Sequence, residues 1–184
     1  MINRFAGKYA FLSNFYICPV EMDERVYASV EHAYQAAKCA RLDVRERFTV
    51  PGLTAGQAKR LGRNVMLRPD WAIVKDTVMR CLLIQKFKWP DMRMQLLATG
   101  DEDLVEGNTW NDRYWGVCGG DGQNRLGKLL MWVRAVCKAE REDATWCLPT
   151  QIEVTGGIIT VATIRECARQ LKAAPQLFPA EESK

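Results

Sequence analysis

Residues 108–124 form a glycine- and aromatic-rich segment that lies between two stretches of helical periodicity. Apolar residues keep helical spacing over residues 70–88 before the segment and over 124–140 after it. Four glycines within the segment interrupt both helix and strand patterns, so we expect a long ordered loop there. Loops of this length in compact domains are usually functional, so we expect part of the chemistry of this chain to lie on the loop.

Short strands are expected beside these helices. Residues 17–22 and 25–27 favour a hairpin, and residues 104–106 favour a further strand. Start and stop residues bound the remaining helices, which we expect at 30–41 after Ser29, at 43–48, at 54–63 after Thr54, and at 91–98. These helices and short strands place the expected main domain in residues 1–139.

The character of the chain changes after residue 139. Residues 140–184 contain five Lys or Arg and seven Asp or Glu, while the whole chain has a net charge of +4. Residues 151–154, 158–161 and 163–173 favour a strand, a strand and a helix, so we expect a small C-terminal ββα-like extension over 140–184. Residues 1–139 therefore carry +6. That charge suits a phosphate, a nucleotide or nucleic acid, and solubility alone explains it equally well.

Composition excludes several other classes of protein. The 184 residues are 48% hydrophobic and 26% charged, which allows a core without disulfide or metal staples. No apolar run approaches the roughly 18 residues of a membrane span, and residues 1–15 lack the features of a signal peptide, so no membrane association is expected. Seven scattered cysteines and a single histidine favour reduced thiols in the cytoplasm, with no metal and no cofactor.

Glu31, Gln35 and Lys38 recur at spacings of four and three residues, so they share one face of the predicted helix, with Tyr34 beside them. A solvated stripe of helix surface is the commoner explanation of such a pattern. His32 has no second His or Cys at ligand spacing, so we expect it to be a structural histidine.

Trp110, Tyr114 and Trp115 stand among amides and a carboxylate in the glycine-rich segment. Such groups suit a flat heterocycle with an attached sugar, and a loop packed on the core by its tryptophans explains them equally well. Residues 122–127 begin the next helix and offer backbone N–H groups and Arg125 to an anion. They match neither a Walker loop nor a Rossmann fingerprint.

Four ordered motifs together resemble the NADAR family, whose domains are associated with NAD and ADP-ribose metabolism. The motifs are residues 11–16, 29–38, 104–118 and 122–134, and the resemblance covers about residues 1–138. It implies a mostly helical α+β domain that hydrolyses the N-glycosidic bond between a ribose carbon and a nitrogen. The family includes an N-glycosidase of riboflavin-biosynthesis intermediates and hydrolases that remove ADP-ribose from guanine. The implied substrate is therefore an ADP-ribosylated nucleobase, free or in nucleic acid, or a phosphoribosylated riboflavin intermediate.

The resemblance also implies site residues. It places catalysis on Glu31, Lys38 and Asp112, and substrate binding on Asn14, Tyr34, Gln35, Asn108, Trp115, Gly116 and Asn124. A carboxylate would stabilise the oxocarbenium character or activate water, while an acid protonates the leaving nitrogen. Lys38 would hold a phosphate or the ribose, or form a Schiff base with an opened sugar. Phe15 and Trp115 would flank the base or ribose, and the phosphate contacts would come from Arg4, Arg63 and Arg125.

Two other classes of function are compatible with the sequence. A module that binds ADP-ribose or a nucleotide without turnover would use the same pocket, but the presence of all three candidate catalytic residues favours an enzyme. A nucleic-acid-binding accessory protein fits the basic charge and the six tryptophans, but no RRM, KH or helix-turn-helix signature supports it.

Overall fold

The structure, a computed structural model, describes residues 1–142, so the strands and helix expected at 151–173 lie outside the described residues. In chain order the described elements are a 3-10 helix (Gly7–Leu12), β1 (Val20–Met22), β2 (Arg25–Tyr27), α1 (Val30–Ala37), α2 (Leu42–Arg45), a second 3-10 helix (Glu46–Phe48), α3 (Ala55–Leu61), α4 (Trp71–Lys86), α5 (Pro90–Leu97), β3 (Gly107–Asn108), β4 (Val117–Cys118) and α6 (Arg125–Glu142). The expected α+β class, mostly helical with small sheets, is confirmed.

The predicted hairpin is confirmed, with β1 and β2 antiparallel. Asp23 and Glu24 form its turn with positive φ angles of 54° and 59°, the backbone that a two-residue hairpin turn requires. The buried guanidinium of Arg45 pairs with the Asp23 carboxylate and also donates to the Cys39 carbonyl. These contacts fasten the hairpin turn to the segment that follows α1.

Helix α1 is buried along its whole length and packs against α3 and α4. The predicted extension of this helix to residue 41 is wrong, because the chain leaves α1 after Ala37 to pair with another segment. Arg68 donates its backbone N–H to the Lys38 carbonyl at 2.8 Å, and Cys39 forms a bridge with Leu67. Tertiary pairing therefore ends the helix earlier than its residue composition suggests.

Helices α4 and α6 supply much of the core and pack on one another. The expected helix after Thr54 is confirmed, and Thr54 and Gln57 form a capping box at its start. Among residues 1–142, no helix combines the length and the apolar content that crossing a bilayer requires.

The glycine-rich loop is ordered, as expected, and its start pairs with residues 117–118 inside it as the parallel strands β3 and β4. The strand predicted at 104–106 is wrong in its position. Leu104 makes only an isolated bridge with Ile2, and the strand residues begin at Gly107. The backbone N–H of Ile2 donates to Asp103 and that of Val105 donates to Ile2, so the N-terminal segment holds the chain that leads into the loop.

Candidate active site

A cavity of about 530 Å³ lies where α1, the start of α4 and the glycine-rich loop meet. Ten of the residues predicted for the site line it: Arg4, Asn14, Phe15, Glu31, Tyr34, Gln35, Lys38, Asn108, Asp112 and Trp115. Gly116, Asn124, Arg63 and Arg125 are not among the lining residues. The fold therefore joins motifs that lie up to about a hundred positions apart in the chain.

The polar face of α1 forms one wall of the cavity. Glu31 and Gln35 are only 5% and 4% exposed, so the interpretation as a solvated stripe is wrong. Gln35 Nε2 donates to Glu31 Oε1 at 2.8 Å, and the Glu31 backbone N–H donates to the Asn14 carbonyl at 3.0 Å. Glu31 is therefore a buried carboxyl group that its amide partner fixes on the cavity wall, and not a residue of the protein surface.

Burial biases both ionisable groups of this wall toward their uncharged forms. It raises the pKa of Glu31, while the Gln35 hydrogen bond and the charges of Lys59 and Lys38 act in the opposite direction. It lowers the pKa of Lys38, which the Glu31 charge opposes. A lysine of lowered pKa serves a phosphate contact less well in its neutral form, but the neutral amine is the form that a Schiff base requires.

Asp112 is held in the glycine-rich loop by backbone donors. Its Oδ1 accepts from the N–H groups of Tyr114 at 3.2 Å and Trp115 at 2.9 Å. Asn108 closes the same turn, since it donates from Nδ2 to the Asp112 carbonyl and accepts at Oδ1 from the Asp112 N–H. Both ends of the Asn108 amide are therefore occupied by backbone, so Asn108 shapes the loop that presents Asp112.

A buried lysine of α4 fixes the loop that carries Asn14 and Phe15. Lys86 of α4 is fully buried and donates to the Ser13 carbonyl at 2.7 Å. Burial lowers the pKa of Lys86 to about 7. Asn14 donates weakly to Met79 Sδ, and its Oδ1 has no hydrogen-bond partner among the described residues.

Aromatic rings form the second wall and the mouth of the cavity. Tyr34 contacts Trp71 and Trp115 with ring centroids 5.1 and 5.6 Å apart. Trp115 also packs on the hydrophobic core. It therefore fits both interpretations of the glycine-rich loop, as a ligand-binding loop and as a loop packed on the core. At the mouth, Lys59 Nζ lies 5.7 Å from the ring centre of Phe15 and 5.4 Å from that of Trp110, and both rings are exposed.

Glu106 is a lining carboxyl group that the sequence did not single out. Its Oε2 is buried without a hydrogen-bond partner among the described residues. Burial raises the pKa of Glu106 to about 7; the charges of Asp112 and Glu31 add to the shift, and Lys59 opposes it. The available signal was its position beside Gly107 and Asn108 at the start of the glycine-rich motif.

Gly116 and Asn124 both contact Glu106, although they do not line the cavity. Asn124 accepts at Oδ1 from the Glu106 N–H at 3.0 Å and donates from Nδ2 to the Leu104 carbonyl at 2.9 Å. A Cβ at Gly116 would lie 2.2 Å from the Glu106 carbonyl oxygen and 3.0 Å from its Cγ. Their expected substrate contacts stay a prediction, and the contacts that the structure shows position Glu106.

The three arginines expected to contact phosphate lie in different places relative to the cavity. Arg63 is exposed and outside the cavity lining, and Arg125 pairs with the Asp76 carboxylate and with Gln123 Oε1. Arg4 does line the cavity, as do the lysines at 38, 59 and 75. Cationic groups on the cavity wall are thus supplied mainly by lysines.

His32 is structural, as expected. Its Nδ1 hydrogen-bonds to Ser29 Oγ at 2.8 Å and its Nε2 to the Leu53 carbonyl at 2.9 Å. Ser29 stands at the N-cap position but makes no side-chain cap, because its hydroxyl is used by His32.

Fold and cavity together define a helical α+β domain with a half-enclosed site lined by three carboxyl groups and four cationic side chains. The family model described as NADAR domain matches residues 3–138, so the chain belongs to the NADAR domain family.

Relatives of known name agree with this family. N-glycosidase YbiA of Escherichia coli is 40% identical over 138 residues, which are 72% of this chain and 84% of that protein. A riboflavin biosynthesis protein of Vibrio vulnificus is 38% identical over 130 residues, 68% of this chain and 35% of that protein. The solved structure of E. coli YbiA matches with a TM-score of 0.67 and 34% identity, covering 82% of this chain and 94% of that one.

Proposed function

We propose that this protein is an N-glycosidase that hydrolyses the bond between a ribose carbon and a nitrogen in a nucleotide-like substrate. The observation that carries the proposal is the meeting of Glu31, Asp112 and Glu106 in one cavity. Breaking such a bond builds positive charge at the anomeric carbon, and paired carboxyl groups supply the negative charge, the acid and the base that this chemistry needs. The relatives named N-glycosidase support the same reaction class.

Two unpartnered acceptors on cavity-lining residues support a sugar as the ligand. Asn14 Oδ1 and Glu106 Oε2 are buried without hydrogen-bond partners among the described residues. Each such atom costs about 1–3 kcal/mol unless a donor is supplied. Ribose hydroxyl groups and an amino or imino nitrogen on the base supply donors of this kind.

Within this proposal, Glu31 and Asp112 stabilise the oxocarbenium character and activate the attacking water. Lys38 lies on the same cavity wall as Glu31 and contacts ribose or phosphate oxygens. A 5-phosphate suits the four cationic side chains of the lining, and the exposed rings of Phe15 and Trp110 suit a flat base at the mouth.

Two substrates fit this chemistry. A phosphoribosylated aminopyrimidine of riboflavin biosynthesis carries one phosphate, and the name of the Vibrio relative favours it. An ADP-ribosylated guanine, free or in nucleic acid, carries a second phosphate and an adenosine that would extend past Phe15 and Trp110. The seven scattered cysteines of the sequence support a cytoplasmic location for such an enzyme.

A panel of substrates tests the proposal. The protein is incubated with early riboflavin intermediates, ADP-ribosylated guanosine and ADP-ribosylated DNA, and free base and sugar phosphate are quantified by chromatography. We expect turnover of at least one substrate in EDTA, because carboxyl groups and water suffice for the reaction. Binding of a substrate without release of base would instead identify a binding module, and activity that EDTA abolishes and one divalent ion restores would show a metal requirement.

A further inference from the structure

Glu106 is the lining carboxyl group with the fewest hydrogen-bond partners. Glu31 accepts from Gln35, and Asp112 accepts from two backbone N–H groups. Glu106 has no such partner at Oε2, which is buried. A carboxylate left in this state is unfavourable, whereas a protonated carboxyl group has an O–H to donate to a ligand.

The backbone around Glu106 is fixed by three independent contacts. Its N–H donates to Asn124 Oδ1, and its carbonyl accepts from the Val117 N–H at 2.9 Å. Gly116 packs so closely against its carbonyl and Cγ that any side chain at position 116 would displace it. A loop that holds one carboxyl group this firmly places it at a defined point of the cavity.

Burial, together with two neighbouring carboxyl groups, favours the protonated form of Glu106. Asp112 and Glu31 repel its negative charge and Lys59 attracts it, while Arg4, Lys38 and Lys75 also line the cavity. Burial and these neighbours bring the pKa of Glu106 to about 7.

We infer that Glu106 is the general acid of the reaction, the group that protonates the leaving nitrogen. The inference rests on the proposed function. As the ribose–nitrogen bond breaks, its electron pair passes to the nitrogen, which takes the proton of Glu106. Water adds to the anomeric carbon and gives one proton to Glu31 or Asp112. The products are the free base with its new N–H and the ribose with its new hydroxyl, and solvent returns the proton to Glu106.

Leaving-group chemistry tests this role directly. The assay compares three variants, Glu106→Gln, Glu106→Asp and the exposed control Glu21→Gln. Each is given two substrates that share ribose 5-phosphate and differ only in the base. One carries a neutral aminopyrimidine that must be protonated to leave, and the other a pyridinium base that leaves without a proton. We expect Glu106→Gln to lose about 10²-fold or more in kcat on the first and less than about 5-fold on the second. Glu106→Asp, which keeps the acid, should recover part of the loss.

The pH profile supplies a second readout on the aminopyrimidine substrate alone. In the wild type, kcat/KM should fall as pH rises through about 7, because Glu106 of the free enzyme loses its proton, and Glu106→Gln should lack this decrease. Equal losses on both ribosides, an unchanged pH profile in Glu106→Gln, or a near-normal rate of this variant would each overturn the inference while the wild-type activity upholds the proposed function. A wild type inactive on every N-riboside would overturn both.

Discussion

Asn124 acts on the cavity from outside it. Its left-handed backbone, with φ of 49°, turns the chain into α6, and its side chain holds the Glu106 and Leu104 backbone. These two functions are separable, because glycine keeps the backbone conformation and removes the amide. At the scale of single residues, we therefore expect the Asn124 side chain to position Glu106.

Replacing Asn124 by Gly is therefore expected to lower kcat by about 10-fold or more with little change in KM. The expected signature is a shifted alkaline limb in the pH–rate profile, because Glu106 loses its fixed position. Asn111→Gly is the matched control, since Asn111 also has positive φ but is exposed and contacts Arg113. Identical pH profiles for wild type and Asn124→Gly would contradict the positioning role.

Glu106 should also destabilise the fold at neutral pH. Its folded pKa of about 7 exceeds the ordinary value of 4.5, so between these values the folded state binds more protons than the unfolded state. The free energy of unfolding therefore falls as pH rises from about 4.5 to 7. Glu106→Gln should raise that free energy by about 1–2 kcal/mol at pH 8, after allowance for partial solvent exposure, and by little at pH 4.5. Urea unfolding at both pH values measures this, and a variant less stable at pH 8 would contradict it.

At the scale of elements, the contact between α1 and the end of α3 holds the Glu31 wall. Gly62 follows α3 with an ordinary negative φ, so it is needed for space and not for its conformation. A Cβ there would lie 2.0 Å from Gln35 Oε1 and 2.9 Å from Gln35 Cβ. Any side chain at position 62 must therefore move Gln35, the partner of Glu31.

We expect Gly62→Ala to lower kcat/KM by about 10-fold and to cost about 1–3 kcal/mol of stability through overpacking. Gly56→Ala within α3 is the control, because a Cβ there meets only Arg60 Nη1 at 4.0 Å. That control should be neutral or slightly stabilising. Activity assays and thermal unfolding of the two variants decide the matter, and equal behaviour would show that Gln35 adapts without loss.

Elements whose signals are local were predictable from the sequence. Turn residues marked the hairpin at Asp23 and Glu24, and Thr54 marked the start of α3. The end of α1 was not, because it depends on pairing with residues 67–68. Glu106 was not predicted as a site residue for a similar reason, because its burial without a hydrogen-bond partner arises only when distant segments meet.

At the scale of the whole molecule, the cavity-lining residues of the described part of the chain lie between residues 4 and 126. The sequence expectation that residues 140–184 are dispensable for chemistry stays a prediction. A chain that ends after Lys138 should retain turnover, with a lower melting temperature because of newly exposed core. A folded, soluble truncation without activity would show that the extension contributes to the site.

Carboxyl chemistry in a single cavity is the central claim, and it is tested most directly by the rates of Glu31→Gln and Asp112→Asn on the best substrate of the panel. Both changes keep shape and remove charge, and circular dichroism checks that each variant is folded. Base release measured under single-turnover conditions should fall by about 10²-fold or more in each variant, while Glu21→Gln stays near the wild type. Near-normal base release by folded Glu31→Gln or Asp112→Asn would contradict the account.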